Sequence, residues 1–125
     1  MRRVTLALLL SLLAVAPAAA QAPTVIEVHL SNFKFTPPTI TMTHGQSYVL
    51  RLMNDGGSGH DFAAKSFFAA AQVRNRTGIQ DGKVELPGDA VREYQLVAPA
   101  PGTYPVKCTH FLHAGFGMTG SIVVR

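Results

Sequence analysis

The residues with the most distinctive chemistry in this chain lie close together. The stretch KCTHFLHAGFGM, Lys107 to Met118, holds the one cysteine, Cys108, two histidines, His110 and His113, and Met118. A thiolate, an imidazole and a thioether are soft or borderline donors, and such donors select transition metals. A lone cysteine can also be an inert buried thiol, and a methionine is often core filling. The spacing argues against both. C-x4-H-x4-M sits in a glycine-rich segment just after a strand-like run, where Ala114, Gly115 and Gly117 leave the backbone free to curl. His110 is the competing imidazole, but C-x-H is a tight spacing that turns its ring away from the point where the others meet.

A thiolate, two imidazoles and a weak, long thioether bond form the ligand set of a blue-copper electron-transfer site. The second imidazole must come from elsewhere in the chain. His60 is the best placed, because it ends GGSGH, whose glycines let the backbone approach another loop, and an apolar run starts at Phe62. His29 and His44 read as ordinary surface histidines, on a strand face and in a turn. Met42 and Met53 read as core strand residues, and Phe33, Phe35, Phe67 and Phe68 as core or lid packing.

These side chains have to be held by something, and the pattern around them is that of short strands. TVIEVHL (24–30), TITM (39–42), SYVLRLMN (47–54), GKVELP (82–87), VREYQLVA (91–98), GTYPVKC (102–108) and GSIVVR (120–125) alternate or are β-branched. Clusters of Gly, Pro, Asn and Asp separate them. KSFFAAAQVR (65–74) alone has helical character, with its alanines, and should form one or two turns in an insertion between strands. The expected class is all-β, an antiparallel β-sandwich or barrel with one short helix.

With the motifs in place, the chain resembles the small cupredoxins over nearly all of residues 21–125. FKFTPPTITMTHGQSYVLRLMN is similar to the opening strands of that family, and GHDF to the segment with its first histidine ligand. APGTYPVKCTHFLHAGFGMTGSIVV is similar to its G-x-Y-x3-C strand, ligand loop and closing strand, with a rusticyanin-like C-x4-H-x4-M spacing. The resemblance implies a Greek-key fold and one copper ion, Cu(I)/Cu(II), bound by His60, Cys108, His113 and Met118. It also makes His113, rather than His110, the ligand of the loop. Two positions depart from the family pattern. Asp61 stands where an asparagine commonly ties the ligand loops together, and Thr109 could bond it in that role. His110 stands where relatives carry an apolar residue or proline.

The chain opens MRRVTLALLLSLLAVAPAAAQA, with two arginines, an apolar run and small residues, the layout of a secretory signal peptide cleaved after Ala20. The apolar run is shorter than the ~20 residues of a membrane span. Residues 21–125 then form a single domain, expected in the periplasm as a soluble monomer. Eleven Lys and Arg stand against seven Asp and Glu; without Arg2 and Arg3 the side-chain balance falls from +4 to +2. The charges are scattered, which excludes a nucleic-acid footprint. A domain this small, with no disulfide available, gains stability from any metal that binds only its folded state.

Two function classes follow from the resemblance. One is a one-electron carrier that meets a redox partner protein such as a cytochrome. The other is a copper-binding protein for sequestration, delivery or tolerance, working with copper-handling proteins. An enzyme is not expected. Multicopper oxidases share the ligand spacing, but histidines flank their cysteine, whereas Lys107 and Thr109 flank Cys108 here.

Overall fold

The computed structural model describes residues 11–17 and 21–125. Residues 1–10 and 18–20 of the expected leader, the cleavage point included, lie outside the described residues. Within the described part no helix is long and apolar enough to cross a membrane.

Among the described residues, eleven strands make two sheets. The first has the order β2 (Lys34–Thr36), β1 (Thr24–Ser31), β4 (Ser47–Asn54), β9 (Val91–Val97), β6 (Gln72–Val73). The second has the order β3 (Thr39–Met42), β11 (Thr119–Val124), β10 (Gly102–Lys107), β5 (His60–Ala63), β8 (Lys83–Leu86), β7 (Ile79–Gln80). The chain crosses between sheets at Pro37-Pro38, where neither residue has an N–H to give to a ladder. Two pairings, β1 with β4 and β11 with β3, are parallel and the rest antiparallel. The all-β class is thus borne out, with mixed rather than purely antiparallel pairing.

Alternation explains why the strands hold their register. Along β4, Tyr48, Leu50, Leu52 and Asn54 point inward while Val49, Arg51 and Met53 are only half-buried. A slip by one residue would bring Arg51 into the core. Val28, Leu30, Leu50, Leu52, Tyr94 and Leu96 of the first sheet share one core with Phe62, Val84, Leu86, Val106, Ile122 and Val124 of the second. Each such aliphatic side chain contributes roughly 1.5–3 kcal/mol on full burial.

The helix α1 (Lys65–Ala70) has six residues, within the one or two turns expected in the 65–74 stretch. It has no side-chain N-cap, and Ala71 is already extended. Gln72 and Val73 pair with Val97 and Leu96 of β9 instead. Sheet pairing satisfies their backbone better than another uncapped helical turn. Phe67 and Phe68 bury into the core as expected, beside Phe62 and Tyr94. Met42 is a core residue and Met53 half-buried. His29 bonds Asp55 on the surface, and the His44 ring nitrogen bonds the Pro99 carbonyl.

Candidate metal centre

Cys108 lies at the end of β10, just past the pair Lys107–Ala63 that joins β10 to β5. Continuing that register two places sets Thr109 opposite Asp61. There a side chain replaces the backbone rung: the Thr109 N–H donates to Asp61 Oδ1 at 2.7 Å, and the Thr109 hydroxyl donates to Asp61 Oδ2. The Asp61 N–H in turn lies 3.4 Å from Cys108 Sγ, as a donor to the sulfur. The expected bond between Thr109 and Asp61 is therefore present, and it clamps one ligand loop to the other. Lys83 Nζ stands 3.9 Å from the same carboxylate, which is itself fully buried.

His60 is the first residue of β5 and is only 5% exposed. Its loop is fastened by Asn54. The Asn54 side-chain amide donates to the carbonyls of Ser58 (2.8 Å), Leu86 (2.9 Å) and Pro87 (3.2 Å), while its Oδ1 accepts from the Gly56 N–H. The Asp89 N–H also donates to the Gly56 carbonyl. Gly88 permits this close approach, because a Cβ there would stand 2.5 Å from the Gly57 carbonyl oxygen. The glycine-rich approach expected of GGSGH is real, and the glycine it needs most lies on the facing loop.

After Cys108 the chain makes a tight turn. The His113 N–H donates to the His110 carbonyl, a short 3-10 turn runs over Ala114–Phe116, and the Met118 N–H returns to the His113 carbonyl at 3.0 Å. The Cys108 N–H donates to the Met118 carbonyl at 3.1 Å, closing the loop. Of the small residues expected to turn it, Gly117 adopts positive φ (96°). Leu112 (φ 63°) does so too, which its side chain does not announce.

The result brings three donor atoms together. Nδ1 of His60 and Nδ1 of His113 are 3.1 Å apart, and Cys108 Sγ lies 3.4 Å from the His113 nitrogen and 4.0 Å from that of His60. A triangle with these sides has its centre about 2.1 Å from each corner, close to the metal–nitrogen and metal–sulfur bond lengths of roughly 2.0–2.3 Å. Cys108 and Met118 are fully buried, and His113 is partly exposed. Burial pushes the Cys108 thiol up from its usual range, against opposing backbone hydrogen bonds. Burial, then the neighbouring His113 and His110, lower the His60 imidazole, with Asp61 acting the other way. Two imidazole nitrogens and a sulfur aimed at one point suit a cation that replaces their protons.

His110 is not part of this triangle. Its Nε2 bonds Glu85 Oε2 at 2.9 Å, and its ring centroid is 5.4 Å from that of His113 and 6.5 Å from that of His60. The tight C-x-H spacing does turn it aside, onto a carboxylate of β8 that no local pattern in the sequence marks. Asn54 was likewise missed. The one signal for it is a polar residue at an inward step of β4.

A two-sheet Greek-key frame that aims one cysteine and two histidines at a single point, with a buried methionine closing the loop, defines a mononuclear soft-metal protein. The donor set fits one copper ion. The sequence model of the cupredoxin-like domain matches residues 4–124, and the chain belongs to that family. Comparison with curated protein sequences gives no match. Among solved structures, the dithionite-reduced auracyanin of Roseiflexus castenholzii is similar at TM-score 0.62 and 24% identity, over 84% of this chain and 99% of that one. Auracyanin B is similar at TM-score 0.61 and 22% identity, over 86% and 93%. Auracyanin A, a "blue" copper protein of Chloroflexus aurantiacus, is similar at TM-score 0.61 and 20% identity, over 83% and 100%. At these identities the likeness speaks for the fold.

Proposed function

We propose that this chain is an exported one-electron carrier whose single copper ion is held by His60, Cys108, His113 and Met118. The observation that carries the reading is the donor triangle of the two Nδ1 atoms and Cys108 Sγ. When bound, copper supplies a one-electron couple between Cu(I) and Cu(II). The chain supplies a fixed cage: the Asp61 N–H donates to the sulfur, and the Asp61 carboxylate locks Thr109 behind it. Ligands held this firmly change little between oxidation states, which lowers the reorganisation an electron transfer requires.

His113 offers the way in. Around it Phe111 is 87% exposed, Phe116 66% and Leu112 54%, a small apolar rim beside a ligand ring. Weak, transient redox encounters need only such a modest surface. Its partner in this reading is a redox protein such as a cytochrome, and the chain acts as a monomer rather than as an enzyme. The leader, residues 1–20, directs the domain, residues 21–125, to the periplasm. The blue-copper description of auracyanin A agrees with the carrier reading. Of the residues that a copper-handling role would recruit, His44 bonds a carbonyl and Met42 lies in the core.

The test is to add Cu(II) to the purified chain lacking residues 1–20. Intense visible thiolate-to-copper absorption should appear, vanish in Cys108→Ser, and be bleached rapidly by a reduced cytochrome. A colourless product that takes only Cu(I) would overturn the carrier reading in favour of copper handling.

A further inference from the structure

The turn between β1 and β2 is built against its own sequence preference. Ser31 pairs with Lys34, so Asn32 and Phe33 form a two-residue hairpin loop. Both have positive φ, 42° and 60°. Such turns favour Asn-Gly, because the second residue must be left-handed and a side chain is strained there. Asn32 fits that rule. Phe33 occupies the glycine position with one of the largest side chains available.

The phenyl ring of Phe33 reaches His113. The two centroids are 4.9 Å apart with the planes at 85°, an edge-to-face contact, and Phe116 packs on Phe33 at 5.5 Å. His113 needs such a neighbour. Its second side-chain torsion is intrinsically broad, so the ring plane is not set by rotamer preference. Histidines that bind metals usually have their second nitrogen fixed by a hydrogen bond. Among the described residues, every hydrogen bond of the His113 ring is made by Nδ1. Ring packing against Phe33 supplies a constraint on the ring plane. A strained residue persists where its surroundings require it and commonly marks function.

We infer that Phe33 is a positioning residue for His113, holding the imidazole plane so that Nδ1 stays aimed at the Cys108–His60 pair. The inference rests on the copper reading given above. It makes a prediction that ordinary packing does not, because site order and turn comfort are opposed at this position.

The experiment compares the wild-type chain with Phe33→Gly and Phe33→Tyr, each lacking residues 1–20. Phe33→Gly creates the preferred Asn-Gly turn, so its metal-free form should melt at or above the wild-type temperature. Its copper should nonetheless pass to a competing chelator about tenfold faster, the lower end of the effect of ligand-orienting groups. Its copper electron-spin resonance should also broaden. Phe33→Tyr keeps the ring and should restore both readouts. A wild-type chain that takes up no copper would overturn the metal reading and this inference with it. A copper-binding wild type matched by Phe33→Gly in chelator transfer and resonance would overturn the positioning role alone. So would a metal-free Phe33→Gly that melts lower in proportion to its copper loss, which would make the ring plain packing. Unchanged copper retention with slowed cytochrome exchange would assign Phe33 to docking instead.

Discussion

The two halves of the metal centre are built on opposite plans. His60 comes from inside the core: it begins a buried strand, its loop is fastened by Asn54, and its neighbour Asp61 is buried and fully bonded. His113 comes from the surface: it rides a short turn between exposed Phe111, Leu112 and Phe116, with the Phe33 ring edge-to-face against it. Cys108 joins the halves, since it ends a strand and starts the loop. The contrast separates two tasks. One half fixes where the metal sits, and the other leaves a ligand ring near the surface.

Three substitutions test that division, in falling order of effect. Asp61→Ala removes the carboxylate that ties Thr109 to the His60 strand. Copper affinity should fall about 10- to 100-fold, as for other groups that orient ligands, measured by competition with a chelator. Asn54→Ala acts farther back on the same half. It leaves the Ser58 and Leu86 carbonyls without their donor, so urea unfolding of the metal-free chain should show a loss of about 1–3 kcal/mol. Its copper should also be released sooner, because the His60 loop is no longer held. Phe111→Ser changes only the exposed rim. Its stability should stay within about 0.5 kcal/mol of the wild type, its visible spectrum should not move, and only cytochrome exchange should slow. If Phe111→Ser cost as much copper as Asp61→Ala, the division into a core half and a surface half would fail.

The two halves also differ in how well the sequence announced them. The loop was legible because its donors and small residues are neighbours in the chain, and their spacing carries the chemistry. His60 could be placed because the glycines before it are unusual. Long strands such as β4 and β9 were legible from alternation. What escaped depended on partners distant in sequence. β5 opens with a buried histidine and aspartate, so it reads as a polar loop, and its pairing with β8 comes from residues 20 or more positions away. The short β6 exists only because the longer β9 offers it an edge, whereas β2 and β7 are hairpin arms of two or three residues, too brief to show alternation. Asn54 bonds Leu86 across 32 residues. Phe33 read as core or lid packing, since a phenylalanine in a glycine position gives no sign of a tight turn.

The joint between β10 and β5 can also be read as a mechanical fastening. In the second sheet β3, β11 and β10 form one panel, and β5, β8 and β7 form the other. The panels share one backbone pair, Lys107 with Ala63, and then the Asp61 bonds to Thr109. A force that parts them is not spread along a ladder but falls on a single rung beside the donors. An ion gripping His60 on one panel and Cys108 on the other would act as a rivet across that gap, bearing the tension that the single rung otherwise takes.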